Sequence, residues 1–156
     1  MMDSASPKAI PQPAQYADRF VEAGGLKFHY QDFGTADRPV MLCMHGGAAH
    51  GHWFDFVAAG FTPDCHVLAL DQRGHGDSAW VDPPAYSYQD YAADIDRVAA
   101  KLDLRDFVLV GHSMGGMVSL VYAATHPGRL KKLVIDRKST RLNSSHIQKS
   151  RMPSSA

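Results

Sequence analysis

The sequence has little cysteine and no long apolar run. Its two cysteines, Cys43 and Cys65, lie far apart without a Cys-X-X-Cys pattern, which predicts two reduced thiols rather than a disulfide-framed secreted scaffold. No stretch approaches the roughly 18 consecutive apolar residues of a transmembrane helix. The N-terminus also lacks the charged-then-apolar segment of a secretory signal. We therefore expect a cytoplasmic protein that does not associate with membranes.

The chain also lacks net charge, because 16 Lys and Arg balance 16 Asp and Glu. The balance hides an asymmetry, since residues 136–156 hold five cations and one acid, whereas residues 1–135 hold eleven cations and fifteen acids. A basic tail on an acidic body is typical of a nucleic-acid or membrane arm. The sequence of this tail, described below, argues against that interpretation, and we expect no nucleic-acid partner.

The 156 residues, 45% hydrophobic and 21% charged, suffice for one globular domain. Residues 1–19 are rich in Pro, Ala and Ser without periodicity and predict a flexible leader. Alternating apolar and polar residues predict a hairpin over 20–31 that turns at two glycines. Continuously apolar runs over residues 40–44, 67–70 and 107–110 then indicate strands buried on both faces of a parallel sheet, and residues 130–135 start a fourth run.

Helices are predicted between these strands. Apolar residues at helical spacing form one stripe over 88–102, and Ser87 followed by Asp90 predicts a capping box at its start. Residues 114–125 predict a second helix, ended by a His-Pro-Gly sequence, and residues 50–61 a weaker one. Strands that alternate with helices indicate an α/β fold with right-handed crossovers.

The sharpest chemical motif is Gly-His-Ser-Met-Gly-Gly at residues 111–116. It follows a buried strand directly and opens a helix, which is the context of a nucleophile elbow. Such a turn presents the hydroxyl of Ser113 above the sheet. It also brings the residues two before and two after the serine so close that a Cβ would clash, which Gly111 and Gly115 avoid.

A serine nucleophile needs an oxyanion hole made of two converging N–H groups. One donor is expected from Met114, the residue after the nucleophile, at the positive end of a helix. The other should come from the loop after the first parallel strand, where His45 precedes two glycines. Gly47 is the predicted second donor, with Ala48 as the alternative if the register differs.

Three segments carry a family resemblance: residues 44–47 (MHGG), 71–78 (DQRGHGDS) and 111–116 (GHSMGG). They resemble the α/β-hydrolase family of esterases, lactonases, C–C hydrolases and cofactor-free haloperoxidases, over about residues 20–135. The resemblance implies a Ser nucleophile, an Asp or Glu after a later strand and a late His, with no cofactor and no metal. Family members that open epoxides or remove halogens carry Asp at the elbow, so Ser113 argues against both reactions.

Other polar residues in these segments are predicted to be structural. His45 should shape its loop, and His112 should point away from Ser113 into the structure. Asp71 and Arg73 should hold their loop by hydrogen bonds and ion pairing, with binding of a substrate carboxylate as the alternative for Arg73.

The segment after the oxyanion loop (residues 45–48) contains two histidines and a tryptophan. His50 and His52 lie two residues apart without a carboxylate cluster, so no metal is expected. Trp53 either lines the acyl pocket or anchors its helix, and the sequence does not separate these roles.

Residues 136–156 have no apolar periodicity. Read back into codons, residues 136–146 and 150–156 match two constant blocks of a short-read sequencing adapter, with room for a sample index between them. We interpret 136–156 as a non-native disordered tail and 20–135 as the N-terminal half of the hydrolase domain, truncated after about the sixth strand. Asp136 and His146 should therefore not serve as triad partners of Ser113.

The sequence thus predicts a hydrolase of a small ester, lactone or similar acyl substrate, of which this chain is an inactive fragment. A C–C hydrolase or cofactor-free perhydrolase shares the same motifs and remains an alternative. A non-catalytic, hydrolase-like protein that binds a small molecule is the alternative from another functional class.

Overall fold

A mixed six-stranded sheet forms the centre of the computed structural model, which describes residues 12–137. Its strands are β1 (Tyr16–Ala23), β2 (Leu26–Phe33), β3 (Val40–Met44), β4 (His66–Leu70), β5 (Phe107–His112) and β6 (Leu130–Asp136). The spatial order is β1-β2-β4-β3-β5-β6, in which β3 to β6 are parallel and the first two strands antiparallel. The four apolar runs of the sequence are therefore confirmed as neighbouring parallel strands.

The ends of the sheet differ from the sequence predictions. The hairpin begins at Tyr16, which pairs with Phe33, so the prediction that residues 16–19 belong to a leader is wrong. Asp136 was assigned to the tail but is the last residue of β6, opposite His112. β1 and β6 lie at the two edges of the sheet. Main-chain pairing can extend an edge strand past the apolar residues from which the sequence predicts a strand. The predictions for residues 1–11 and 138–156, including His146, lie outside the described residues.

Helices connect the parallel strands as expected. The longest is α2 (Tyr88–Lys101), whose capping box forms: Asp90 N donates to Ser87 Oγ at 3.2 Å, and Ser87 N donates to Asp90 Oδ2 at 2.8 Å. The helix after β5 is α3 (Met114–Thr125). The weak helical segment resolves into a 3-10 turn (Gly51–Phe54) followed by the five-residue α1 (Asp55–Ala59).

The sheet is covered unequally on its two faces. Helices α2 and α3 pack over one face, and the larger core there includes Phe28, Leu42, Leu70, Ile95, Leu109 and Tyr122. The 3-10 turn and α1 cover the other face over a smaller cluster built around Phe33, Met41, Cys43, Phe54 and Val67. Both faces of the central strands are thus apolar, as their continuous hydrophobic sequences require. Within residues 12–137, no helix is long and apolar enough to cross a bilayer.

Candidate active site

Ser113 lies at the sharp turn between β5 and α3 and is exposed. Its backbone has φ 52° and ψ −112°, a conformation that L-residues rarely adopt and that costs about 1–3 kcal/mol. Two partners hold the turn: Ser113 N donates to the Asp136 carbonyl at 2.8 Å, and Gly116 N donates to the Ser113 carbonyl at 3.0 Å. The strained, exposed serine predicted from the sequence is therefore present at the strand-to-helix turn.

The two elbow glycines occupy positions with no room for a side chain. A Cβ on Gly111 would lie 2.4 Å from the carbonyl oxygen of Gly115 and 2.7 Å from Gly116 Cα. A Cβ on Gly115 would lie 2.2 Å from the carbonyl oxygen of Met44. All these neighbours are backbone atoms, which cannot rotate aside as a flexible side chain does. The motif therefore contains glycine at these positions because strand, turn and loop approach one another closely.

The loop after β3 lies against the elbow. Gly115 N donates to the His45 carbonyl at 3.1 Å, and a Cβ on Gly46 would lie 3.3 Å from Ser113 Cβ. A Cβ on Gly47 would lie 3.8 Å from Met114 Sδ. Within residues 12–137, the N–H groups of Gly47 and Met114 have no hydrogen-bond acceptor. The structure thus places Gly47, one predicted oxyanion donor, next to the side chain of Met114, the other.

His45 is fully buried and shapes this loop, as predicted. Its Nδ1–H donates to the Gly46 carbonyl at 2.7 Å, because a carbonyl only accepts, and its Nε2 accepts from Gln72 N at 3.0 Å. Burial lowers the pKa of His45 to about 4. Both ring nitrogens are engaged, with the Gly46 carbonyl and with Gln72 N, and no hydrogen bond joins His45 to the Ser113 side chain within residues 12–137.

Gln72 is a positioning residue that the sequence reasoning missed. Its Nε2 donates to the His45 carbonyl at 2.7 Å, the same oxygen that accepts from Gly115 N. One carbonyl thus ties the loop after β4, the oxyanion loop and the elbow together. The segment that resembles the family includes Gln72 between the charged residues Asp71 and Arg73. No pattern in the sequence predicts that the Gln72 side chain is buried.

Asp71 organises the loop after β4. Its carboxylate accepts hydrogen bonds from Gly51 N at 2.6 Å and Asp77 N at 3.0 Å, and it contacts His29 Nδ1 at 2.8 Å. Burial acts to raise the pKa of Asp71, but these hydrogen bonds outweigh it and hold the pKa below its usual value. The predicted loop-holding role of Asp71 is confirmed.

Arg73 also has the predicted structural role. It forms a two-point ion pair with Asp94, with Nε 2.5 Å from Oδ2 and Nη2 2.6 Å from Oδ1, while Nη1 donates to the Ala85 carbonyl at 2.7 Å. The hydrogen bonds that Arg73 donates to Asp94 raise the pKa of Arg73 further above its already high value. All three nitrogens are engaged in a buried setting, which leaves the alternative of substrate-carboxylate binding without support.

His112 departs from its prediction. It does not point into the core: its side chain is about one-quarter exposed, its Nδ1 lies 3.0 Å from Asp136 Oδ2, and Trp53 stacks on it at 5.1 Å between ring centroids. Alternate residues of β5 face the thinly covered side of the sheet, and His112 is one of them. Asp136 therefore contacts His112, and Trp53 lies beside the nucleophile's neighbour rather than in the core.

The histidines near the oxyanion loop form no metal site in the part of the chain that the structure describes. The rings of His50 and His52 are 5.4 Å apart, and His52 Nδ1 lies 3.1 Å from Asp55 Oδ1. Between residues 12 and 137, no three His, Cys, Asp or Glu side chains are grouped in a way that could hold a metal ion.

The sequence of this chain matches the model of one known protein family. Residues 39–152 match the family model of the alpha/beta hydrolase fold. The chain belongs to the α/β-hydrolase family.

Several characterised α/β-hydrolases are similar to this chain in sequence. Epoxide hydrolase 4 of Mus musculus is 33% identical over 74% of the chain and 32% of its own length. Non-heme chloroperoxidase CPO-A1 of Kitasatospora aureofaciens is 37% identical over 71% of the chain and 40% of its own length. The serine hydrolase-like protein of Homo sapiens is 33% identical over 66% of the chain and 51% of its own length. The chain therefore spans one-third to one-half of the length of these relatives.

Solved α/β-hydrolase structures show the same fold. The thioesterase domain from the curacin biosynthetic pathway superposes with a TM-score of 0.74 and 30% identity, over 85% of this chain and 52% of that one. A membrane phospholipase A described as a bacterial virulence factor superposes with a TM-score of 0.76 and 28% identity, over 90% and 42%. Each neighbour is roughly twice as long as the matched part, in line with the predicted truncated sheet.

Proposed function

We propose that the protein is a cytoplasmic hydrolase of a small ester, lactone or similar acyl substrate, with Ser113 as nucleophile. The observation that carries this proposal is the strained, exposed serine between β5 and α3. A strained conformation persists only where the surrounding structure determines it, and such sites concentrate where chemistry occurs. Glycines lie on both sides of Ser113 at positions that have no room for a Cβ. This close packing around the turn supports the proposal.

The reaction follows from the groups at the turn. Ser113 Oγ attacks the acyl carbonyl, and its proton passes to a base as the tetrahedral intermediate forms. The new oxyanion accepts hydrogen bonds from the Gly47 and Met114 amides, the two unpaired donors beside the serine. Removing one such donor typically costs about 10²–10³ in kcat. The intermediate collapses to an acyl-serine ester as the alcohol leaves with the proton from the base. Water then attacks this ester with the help of the same base, which releases the carboxylic acid and regenerates the Ser113 hydroxyl.

The described residues do not supply the base. Within residues 12–137, no histidine is hydrogen-bonded to the Ser113 side chain. His45, in the oxyanion loop, is engaged with Gln72, and His112, next to the serine, is engaged with Asp136. A base contributes about 10²–10⁴-fold to such a reaction. We therefore propose that the complete protein supplies an Asp or Glu and a His from sequence other than this range, and that the 156-residue chain is inactive.

The similarity to epoxide hydrolase 4 does not change the proposed chemistry. A carboxylate that opens an epoxide forms an ester, and water can release the product by attack at that ester's carbonyl. A serine that opens an epoxide would form an ether, which has no carbonyl for water to attack. Ser113 therefore favours acyl substrates, for which the serine adduct is itself a hydrolysable ester.

Cofactor-free perhydrolysis is the second candidate, favoured by the 37% identity to a non-heme chloroperoxidase. In that reaction hydrogen peroxide replaces water as the attacking group, so that the acyl-serine ester yields a peracid and free Ser113. The first half of the reaction is the same, and the ratio of peracid to acid formed in the presence of peroxide distinguishes the two.

The test compares the 156-residue chain with a longer protein. We predict that the source gene encodes this longer protein, and amplifying the gene across the Ile135 codon provides it. We expect the longer protein to hydrolyse p-nitrophenyl acetate and to react with a fluorophosphonate probe, and its Ser113→Ala variant to do neither. The 156-residue chain should not exceed its own Ser113→Ala control. Robust Ser113-dependent turnover by this chain would show that a base lies within it. Inactivity of the longer protein would favour the ligand-binding alternative.

A further inference from the structure

An aromatic cleft beside the oxyanion loop has no role in the chemistry proposed above. Its volume is about 470 Å³, and it is lined by residues at the starts of α2 and α3: Tyr86, Ser87, Tyr88, Gln89, Tyr91 and Met114. Protein ligand clefts span roughly 300–1,000 Å³, and the volume of this open cleft lies within that range. The cleft is therefore large enough for a substituted aromatic ring.

Two walls of the cleft are fixed in place. Tyr91 is only 6% exposed, and the ring of Tyr86 lies 6.3 Å from it between centroids. Tyr86 Oη accepts a hydrogen bond from Val81 N at 2.9 Å. A Cβ on Gly74 would lie 2.7 Å from Tyr86 Cε1, so the glycine provides the space in which this ring packs. Rigid walls lower the ordering cost of binding a ligand.

Met114 joins the cleft to the candidate active site. Its amide is a proposed oxyanion donor, whereas its side chain lines the cleft and reaches toward Gly47, where a Cβ would lie 3.8 Å from Sδ. A ligand that fills the cleft therefore lies next to the place where the oxyanion forms. The thioether of methionine also makes favourable contacts with aromatic rings.

The charges around the cleft favour a neutral ligand. Its six lining residues include no Asp, Glu, Lys, Arg or His. The nearby carboxylate of Asp90 is engaged by the capping box, in which Ser87 N and Ser87 Oγ both donate to Oδ2. The lining residues therefore offer an ionic group no partner of opposite charge. Aromatic walls instead match an aromatic ring, which gains from tilted or offset ring contacts.

We propose that this cleft binds an aromatic group of the substrate, so that the preferred substrates are neutral esters or related acyl compounds carrying an aryl group. The inference rests on the proposed function for the reaction, but binding in the cleft does not require Ser113.

The test is a titration followed through the methionine methyl groups. The chain has seven methionines, and comparison with Met114→Leu assigns the Met114 signal in a methyl-¹³C spectrum. Ethyl phenylacetate should shift this signal saturably, because its ring lies beside the methyl group. Ethyl cyclohexylacetate, similar in size but not aromatic, should bind about 2- to 10-fold more weakly. Equal affinities, or no Met114 shift, would overturn the proposal.

A variant pair controls for non-specific binding. Tyr88 is 44% exposed, so Tyr88→Leu should fold while losing one aromatic wall and most of the preference for the phenyl ester. Phe56, 59% exposed on α1, lies outside the cleft, and Phe56→Leu should leave both affinities unchanged. An unchanged preference in Tyr88→Leu would argue against the aromatic cleft.

Ser113→Ala separates this inference from the proposed function. The variant should bind ethyl phenylacetate as the parent chain does. If aromatic preference persists while the longer protein shows no Ser113-dependent hydrolysis, the nucleophile assignment is wrong and the cleft assignment is retained. If hydrolysis depends on Ser113 but aryl and alkyl esters bind equally, the cleft assignment alone is wrong.

Discussion

Replacing Gly115 by alanine tests whether the elbow is as tightly packed as the structure shows. The added Cβ would lie 2.2 Å from the Met44 carbonyl oxygen and 2.6 Å from that of His45. Both oxygens belong to the backbone at the end of β3 and the start of the oxyanion loop. Neither can move without displacing the segment that carries it, so α3 and this loop must separate.

The size of the effect follows from three contributions. Forcing an extra methyl group into a packed site costs about 1–3 kcal/mol. Separation also lengthens the hydrogen bond from Gly115 N to the His45 carbonyl, now 3.1 Å, and losing such a bond costs about 0.5–1.5 kcal/mol. Alanine is favoured over glycine within a helix by roughly 0.5–1 kcal/mol. We therefore expect Gly115→Ala to lower the free energy of unfolding by about 0.5–4 kcal/mol, with a central value of about 2 kcal/mol.

Urea unfolding followed by far-UV circular dichroism measures this change, with Gly60→Ala as the matched control. Gly60 caps α1 with φ −78° and ψ −16°, and its Cβ would lie 3.5 Å from the Val57 carbonyl oxygen, an ordinary contact. The control should stay within about 0.5 kcal/mol of the parent chain. If both variants were equally stable, the close approach of elbow and oxyanion loop would be refuted.

Three further predictions use the same unfolding assay. Ser113→Gly should be about 1 kcal/mol more stable than Ser113→Ala, because glycine relieves the backbone strain and the serine side chain forms no capping hydrogen bond; equal stabilities would contradict the strain. Burial lowers the pKa of His45 from 6.5 to about 4, so its neutral form stabilises the fold above pH 6.5, and this contribution of about 3 kcal/mol is lost as the pH falls toward 4. His45→Gln should remove that part of the pH dependence, and an unchanged pH profile would contradict it. Asp94→Asn should cost about 3–5 kcal/mol because it leaves a buried arginine unpaired, whereas Asp103→Asn, in an exposed ion pair, should have no measurable effect.

The parallel strands and the elbow could be predicted from the sequence because each is a local pattern. A strand buried on both faces must be continuously apolar, and β3, β4 and β5 carry such runs. β6 lies at the sheet edge, and its sequence is apolar only in part. The strand, Gly-X-Ser-X-Gly motif and helix are contiguous, so their order alone fixes where Ser113 lies.

The edges of the sheet could not be predicted in the same way. The first four residues of β1 are exposed. Besides main-chain pairing, they contact β2 through the side-chain pairs Tyr16–Phe33, Asp18–His29 and Arg19–Asp32, which do not form a periodic apolar pattern. Asp136 likewise extends β6 opposite His112 although it ends the apolar run. An apolar sequence pattern indicates which side chains are buried, and a residue of an edge strand buries little of its surface.

A buried polar residue can be predicted from the sequence when it lies on a helix or strand with a periodic apolar pattern, but not when it lies in a loop. Asp94 lies on the apolar stripe of α2, between Tyr91 and Ile95, where a charge is unexpected unless it is paired. The position of Asp94 therefore indicates from the sequence that its carboxylate has a partner. That the partner is Arg73 depends on tertiary structure. Gln72 lies in a loop without periodicity, so nothing local distinguishes an exposed amide from one that ties three segments to a single carbonyl. Its role follows only from the meeting of β3, β4 and the elbow, and those contacts are non-local in the chain.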